Sequence, residues 1–205
     1  EQGLSQSTVY AMQRDSTGFL WRGTRDGLNR FDGHQFQTYY PRPQNTQQEE
    51  RSIRALEKAG PQKLWVGTDG GGLLQFDTRS NTFNNMCNLV APAECNSAEN
   101  ILSVYAGGQD IWGGTRENGL IKFTPAQHKS TRFLASQNVW AVTGDTSGRI
   151  YAGTDHALVV LNKSGEILHS FETGPVRALY FDEQRNHLFV GTDGHGLFVL
   201  EEGNS

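Results

Sequence analysis

The sequence lacks a run of about 18 apolar residues, so no stretch reads as a membrane-spanning helix. It lacks a lysine–arginine cluster, and its formal net charge is −4, which argues against nucleic acid as a partner. No stretch repeats apolar residues at helical spacing. Neither a Gly-x-Ser-x-Gly elbow nor a His-Glu-x-x-His pair occurs, and the histidines at 34, 128, 156, 169, 187 and 195 are scattered. The run Gly70-Gly71-Gly72 precedes no helix and is therefore no phosphate loop. Enzymatic chemistry and a bound cofactor are not expected. The opening Glu1-Gln2-Gly3-Leu4-Ser5 has no basic or apolar signal region, so a signal peptide either never existed or has been removed. Cysteine is scarce. Cys87 and Cys95 alone cannot make a zinc site. They are either a disulfide closing the loop between them, in an oxidising compartment, or two free thiols, and spacing leaves both open.

What the sequence has is a repeat. Gly18-Phe19-Leu20-Trp21-Arg22-Gly23-Thr24, followed by Asp26-Gly27-Leu28, recurs as Leu64-Trp65-Val66-Gly67-Thr68, Ile111-Trp112-Gly113-Gly114-Thr115, Tyr151-Ala152-Gly153-Thr154 and Phe189-Val190-Gly191-Thr192. The shared glycines lie at 23, 67, 114, 153 and 191. A period of roughly 40 residues marks an array of one supersecondary unit. Each unit reads as a short strand, a turn, the aromatic-Gly-Thr strand, a Gly-containing loop, a third strand and mostly a fourth. Asp15-Ser16-Thr17-Gly18 and Asp145-Thr146-Ser147-Gly148 are hairpin turns in this scheme.

Four short strands per unit predict an all-β chain, a β-propeller of about five four-stranded blades with the last incomplete. The blades are placed at about 8–42, 52–88, 100–136, 138–173 and 175–205. The chain is accordingly expected to be a single propeller domain or the N-terminal part of a larger one. The small column Ala11, Ala55, Ser103, Ala141 and Ala178 fits the innermost strands. The aromatic column Trp21, Trp65, Trp112, Tyr151 and Phe189 fits the core between blades.

The run from Gly3 to Met12, continued through Asp15–Thr24 and Asp26–Phe36, resembles the two-component regulator propeller family. These are periplasmic sensor regions of hybrid histidine kinases and related diguanylate cyclases. Arg22 departs from that pattern where an apolar residue is usual, Gly113 does so in the third unit, and the fourth unit lacks both the tryptophan and the glycine before Leu158. The resemblance implies a periplasmic or extracellular input module of a membrane-anchored signalling protein, with no membrane contact by this segment.

Candidate ligand-binding residues follow from the blade alignment. Loops between second and third strands share one rim with the blade-to-blade connections, and propellers collect ligands where such loops converge. These loops carry Arg25, Asp69, Arg116, Glu117, Asp155, His156, Asp193 and His195. The second position of each inner strand varies as Tyr10, Arg54, Leu102, Trp140 and Arg177. Aromatics beside arginines suit stacking on a sugar or other ring and bonding to carboxylate or hydroxyl groups. The same arginines also suit pairing with loop acids that merely tie blades together. The residues thus support recognition of a small molecule or oligosaccharide. Two other readings stand beside it: a protein-interaction or homodimerisation scaffold, completed by a second copy or by missing blades, and a propeller lyase or hydrolase using His156 and His195. The connection from Pro41 to Arg51 reads as a solvated loop or a lid.

Overall fold

The computed structural model describes residues 3–41, 51–89 and 99–201. Residues 42–50, including most of the Pro41–Arg51 connection, and Cys95 lie outside them. Cys87 is disulfide-bonded.

The chain is an all-β propeller arc of five antiparallel sheets. The first blade holds β1 (Val9–Arg14), β2 (Leu20–Thr24), β3 (Gly27–Phe31) and β4 (Phe36–Tyr39). The second holds β5 (Ile53–Lys58), β6 (Lys63–Thr68), β7 (Leu73–Asp77) and β8 (Thr82–Asn85). The third holds β9 (Ile101–Gly107), β10 (Asp110–Thr115), β11 (Leu120–Thr124) and β12 (Lys129–Phe133). The fourth holds β13 (Val139–Gly144), β14 (Ile150–Thr154), β15 (Ala157–Leu161) and β16 (Ile167–Glu172). The fifth has three strands, β17 (Val176–Asp182), β18 (His187–Thr192) and β19 (Leu197–Glu201). Strands pair in sequence order within each blade, and the inner strands β1, β5, β9, β13 and β17 pack one against the next.

The recurring side chains explain this stacking. Trp21, Trp65, Trp112 and Tyr151 are buried between blades. A ring of this size removes roughly 150–250 Å² from water, worth about 4–6 kcal/mol of transfer free energy. Two tips are also satisfied: Trp21 Nε1 donates to Asp15 Oδ2 at 2.7 Å, and Tyr151 OH donates to Asp145 Oδ2 at 3.0 Å. The hairpin aspartates therefore both shape their turns and hold an aromatic of the core. The signature glycines permit close approach. A Cβ on Gly23 would lie 2.7 Å from Ile53 Cγ2, one on Gly67 2.8 Å from Ile101 Cγ2, and one on Gly153 2.5 Å from Val176 Cγ1. In each case the obstacle is the first residue of the next blade's inner strand.

The last blade breaks the pattern because, among the described residues, nothing packs on its far face. Cross-strand register puts Ala178, Gly191 and Leu197 on one face, with Tyr180, Phe189 and Val199 beside them. Leu197 and Tyr180 are each 65 % exposed, and the atoms nearest a Cβ on Gly191 would all belong to Ala178, the first at 3.4 Å.

Candidate ligand-binding rim

Each second-to-third-strand loop is closed by the signature threonine. Thr24 Oγ1 donates to the Gly27 carbonyl and Thr154 Oγ1 to the Ala157 carbonyl, both at 3.0 Å. Thr68, Thr115 and Thr192 close loops one residue longer onto Gly72, Gly119 and Gly196. The loops are then sewn to the following connection. The N–H groups of Gly27, Gly72 and Gly119 donate to the carbonyls of Arg51, Glu99 and Gln137. In the fourth blade, where Ala157 replaces the glycine, the direction reverses and Gly174 N–H donates to the His156 carbonyl. These bonds place the loops and the blade-to-blade connections on a common rim.

The inner strands reach this rim through a bulge. In all five blades the register slips around the second residue of the strand, so that Tyr10, Arg54, Leu102, Trp140 and Arg177 are each the extra residue. A bulge leaves its extra residue out of the ladder and re-aims its side chain. Two pairs of these side chains stack across blade boundaries. The Arg54 guanidinium lies 4.2 Å from the Tyr10 ring centroid, and the Arg177 guanidinium 4.3 Å from that of Trp140. One face of each aromatic is thereby covered by a cation rather than offered freely to a ligand ring.

Around Trp140 the polar groups converge. Asp155 accepts from Trp140 Nε1 at 2.7 Å and from Asn138 Nδ2 at 2.6 Å, with Arg177 at 3.5 Å. Partial burial opposes its charge, but the Asn138 and Trp140 bonds and the Arg177 guanidinium hold its carboxyl below the ordinary value. Arg177 also reaches Asp193 at 3.5 Å. Asn138 Oδ1 accepts from the Glu117 backbone N–H at 2.8 Å. Glu117, Asn138, Asp155 and His156 line a recess of about 110 Å³ with Ser136 and Gln137. Three of the residues singled out from sequence, Glu117, Asp155 and His156, are thus brought together from two blades. Glu117 has φ +69°, at the loop position where the second and fifth blades carry the left-handed glycines Gly70 and Gly194.

The other candidates are distributed differently. Asp69 pairs with Arg116 of the next blade at 3.6 Å. His195 is exposed and its ring lies over Gly174, where a Cβ would sit 2.9 Å from Nδ1. Arg25 is exposed on the first loop. Among the described residues no cluster of three or more His, Cys, Asp or Glu side chains is placed to hold a metal. Sequence reasoning missed Asn138, which fixes Asp155, and Glu99. Glu99 is 3 % exposed and joins Arg132 and Asn118, each at 2.7 Å. Both lie in blade-to-blade connections, which carry no repeating pattern.

Comparison with known proteins bears on this geometry. No protein-family model matches the chain. The chain aligns with a structure described as the extracellular domain of a hybrid two-component system of B. thetaiotaomicron, with a TM-score of 0.77 and 23 % identity. That alignment covers 98 % of this chain and 27 % of the other. Its fold is shared with extracellular domains of two-component systems. A second such domain from B. thetaiotaomicron aligns with a TM-score of 0.56 at 20 % identity, over 100 % of this chain and 36 % of the other. The β-propeller domain of Cps50 (Swd1) from Myceliophteria thermophila aligns with a TM-score of 0.73 at 13 % identity, covering 98 % of this chain and 67 % of that one. Among curated proteins, histidine kinase P4 of Formosa agariphila is 54 % identical over 44 residues, which is 22 % of this chain and 3 % of the kinase. The chain therefore spans a small part of the curated relative and about a quarter to a third of the two-component structures.

Proposed function

We propose that this chain is the propeller part of an extracytoplasmic sensory input module in a bacterial signal-transduction protein. Its ligand, a small molecule or oligosaccharide, is recognised on the rim. The observation that carries the reading is the convergence of five bulged inner-strand residues on one rim, beside the polar recess between the third and fourth blades. Bulges re-aim side chains at such positions, and convergent polar groups in a concavity are the usual form of a binding site. The shared fold and the 44-residue similarity to a histidine kinase support the signalling context. The disulfide at Cys87 supports an oxidising compartment.

Backbone amide NMR during titration with a panel of glycans and small metabolites tests the reading. A ligand should shift resonances of Tyr10, Arg54, Glu117, Trp140 and His156 together. Saturating binders whose shifts map only to the hairpin rim or the outer strands would refute it.

A second reading, a scaffold for assembly, rests on the apolar face of the fifth blade, where Tyr180, Leu197 and Val199 are exposed. A second copy, another chain or further blades of the same protein would cover it. Light scattering across a concentration series tests this: a strict monomer at high concentration counts against self-assembly.

A further inference from the structure

The repeat builds the same arginine-on-aromatic device twice, and the two copies differ in one group. Arg54 and Arg177 occupy the same bulged position and stack on the aromatic of the preceding blade at 4.2 Å and 4.3 Å. In the second copy the preceding blade also supplies a counter-ion. Asp155, the residue following Thr154, faces Arg177 at 3.5 Å. In the first copy the residue following Thr24 is Arg25. The two loops are closed in the same way, each by its threonine onto the third residue on, at 3.0 Å. The loop position that supplies Arg177 with a carboxylate in the fourth blade therefore carries an arginine, Arg25, in the first.

Among the described residues, the loop acids Asp26 and Asp69 are engaged elsewhere. Asp26 pairs with Arg51 and Asp69 with Arg116, each at 3.6 Å. Asp69 is the counterpart of Asp193, which in the fifth blade turns toward Arg177. Among the described residues neither Arg25 nor Arg54 has a carboxylate partner. Arg54 is half-buried, so its charge is partly withdrawn from water, with the Tyr10 ring beside it.

We propose that the rim between the first and second blades binds a ligand carboxylate, held by Arg54 and Arg25 beside Tyr10, in the place that Asp155 fills from within the protein in the fourth blade. This deepens the rim reading and rests on it. A guanidinium offers a planar set of donors that matches a carboxylate, and a second guanidinium adds charge without competing for the acceptor. The ligand class is a small organic acid or an acidic sugar, presenting its carboxylate to the arginines and a flat face to Tyr10.

The test uses the protein labelled for detection of arginine Nε–H groups. Benzoate and methyl glucuronide are the charged probes, and benzyl alcohol and methyl glucoside their neutral counterparts. The expected result is a saturable shift of Arg54 Nε–H with the charged probes alone. Arg25→Asp, which installs the fourth blade's arrangement, should weaken that binding at least tenfold while the fold is retained. Arg185→Gln, in a hairpin on the opposite rim, should leave it unchanged. Equal response to charged and neutral probes, or charged binding that survives Arg25→Asp, overturns the carboxylate assignment but leaves rim recognition standing. Probes that bind with shifts confined to surfaces away from the rim count against both. Absence of any shift with millimolar charged probes overturns the carboxylate site.

Discussion

Replacing Gly153 by alanine separates the packing role of the signature glycine from any other. The new Cβ would lie 2.5 Å from Val176 Cγ1, 2.8 Å from its Cβ and 3.1 Å from its carbonyl oxygen. The first two atoms belong to a buried β-branched side chain and the third to backbone, so the fourth and fifth blades must separate. Overpacking of this kind costs about 1–3 kcal/mol. Lower entropy of the unfolded chain returns about 0.4–1 kcal/mol. The expected net loss is about 1–2 kcal/mol, or roughly 2–8 °C in a domain of this size. Gly191→Ala is the matched control, because the atoms nearest its Cβ all belong to Ala178, the first of them Cβ at an ordinary 3.4 Å. It should be neutral or slightly stabilising. Urea titration and thermal melting of both variants decide the matter. Combining Gly153→Ala with Val176→Ala should cost about 1 kcal/mol less than the sum of the two single changes. Equal losses at Gly153 and Gly191 would refute blade approach as the reason for the glycine.

Three further outcomes are expected. Asp145 is buried, which opposes its charge, but bonds from Ser147, the Arg149 backbone and side chain, and Tyr151 lower its carboxyl pKa to about 2. A depressed carboxylate stabilises the fold above its unfolded value of 3.8 and loses that contribution as pH falls toward 2. Asp145→Asn should therefore cost up to about 2 kcal/mol at pH 7, with the gap to the parent closing in acid; a gap independent of pH in urea titrations contradicts this. Trp140→Phe keeps a ring for Arg177 but removes the indole N–H, so the Asp155 carboxyl should titrate higher, as read by carboxyl-carbon NMR. Gly119→Ala puts a Cβ against the carbonyl oxygens of Phe133 and Leu134 at φ +77° and should cost more than about 2 kcal/mol in a thermal or urea melt. Gly33→Ala has equally positive φ (+101°) but open space around it, and should cost only about 1 kcal/mol.

The propeller was legible because one unit is written five times. The aromatic, the glycine and the small inner residue recur at matching positions, and each matches a packing demand between Trp21 and Ile53 or Gly67 and Ile101. The threonine after the glycine was visible but unassigned, since its loop-closing bond depends on a carbonyl three or four residues on. The rim was legible as a place and less so as a set of partners. The alternation of aromatic and arginine at Tyr10, Arg54, Trp140 and Arg177 points to the rim, yet nothing in sequence separates an arginine waiting for a ligand from one paired internally. In the structure Arg177 pairs with Asp155 of the preceding blade and with Asp193 of its own. Asn138 and Glu99 escaped notice because connections between blades follow no period.

Departures from the repeat carry as much physical content as the repeat itself. Arg22 stands at the position of Val66, which is fully buried against the preceding blade. On the first blade no other blade packs on that face among the described residues; Ser5 bonds Asn29 there, and the Arg22 guanidinium lies over the rings of Phe36 and Phe31 at 4.9 Å and 5.6 Å. Asn29 and Thr38 continue the same face with a hydrogen bond of 2.9 Å. A cation over two aromatics shields apolar surface while keeping its charge hydrated. The opposite end has no such cover among the described residues, where Ala178, Tyr180, Leu197 and Val199 present an apolar face. The two ends of the arc are therefore not equivalent: the first-blade face is finished with polar groups, and the fifth-blade face is the adhesive one. Substituting Tyr180 or Leu197 with a charged residue should change assembly or solubility, whereas Arg22→Val should create a new sticky face on the first blade. The reverse pattern in light scattering would mean that the apolar column of the fifth blade is solvated rather than covered.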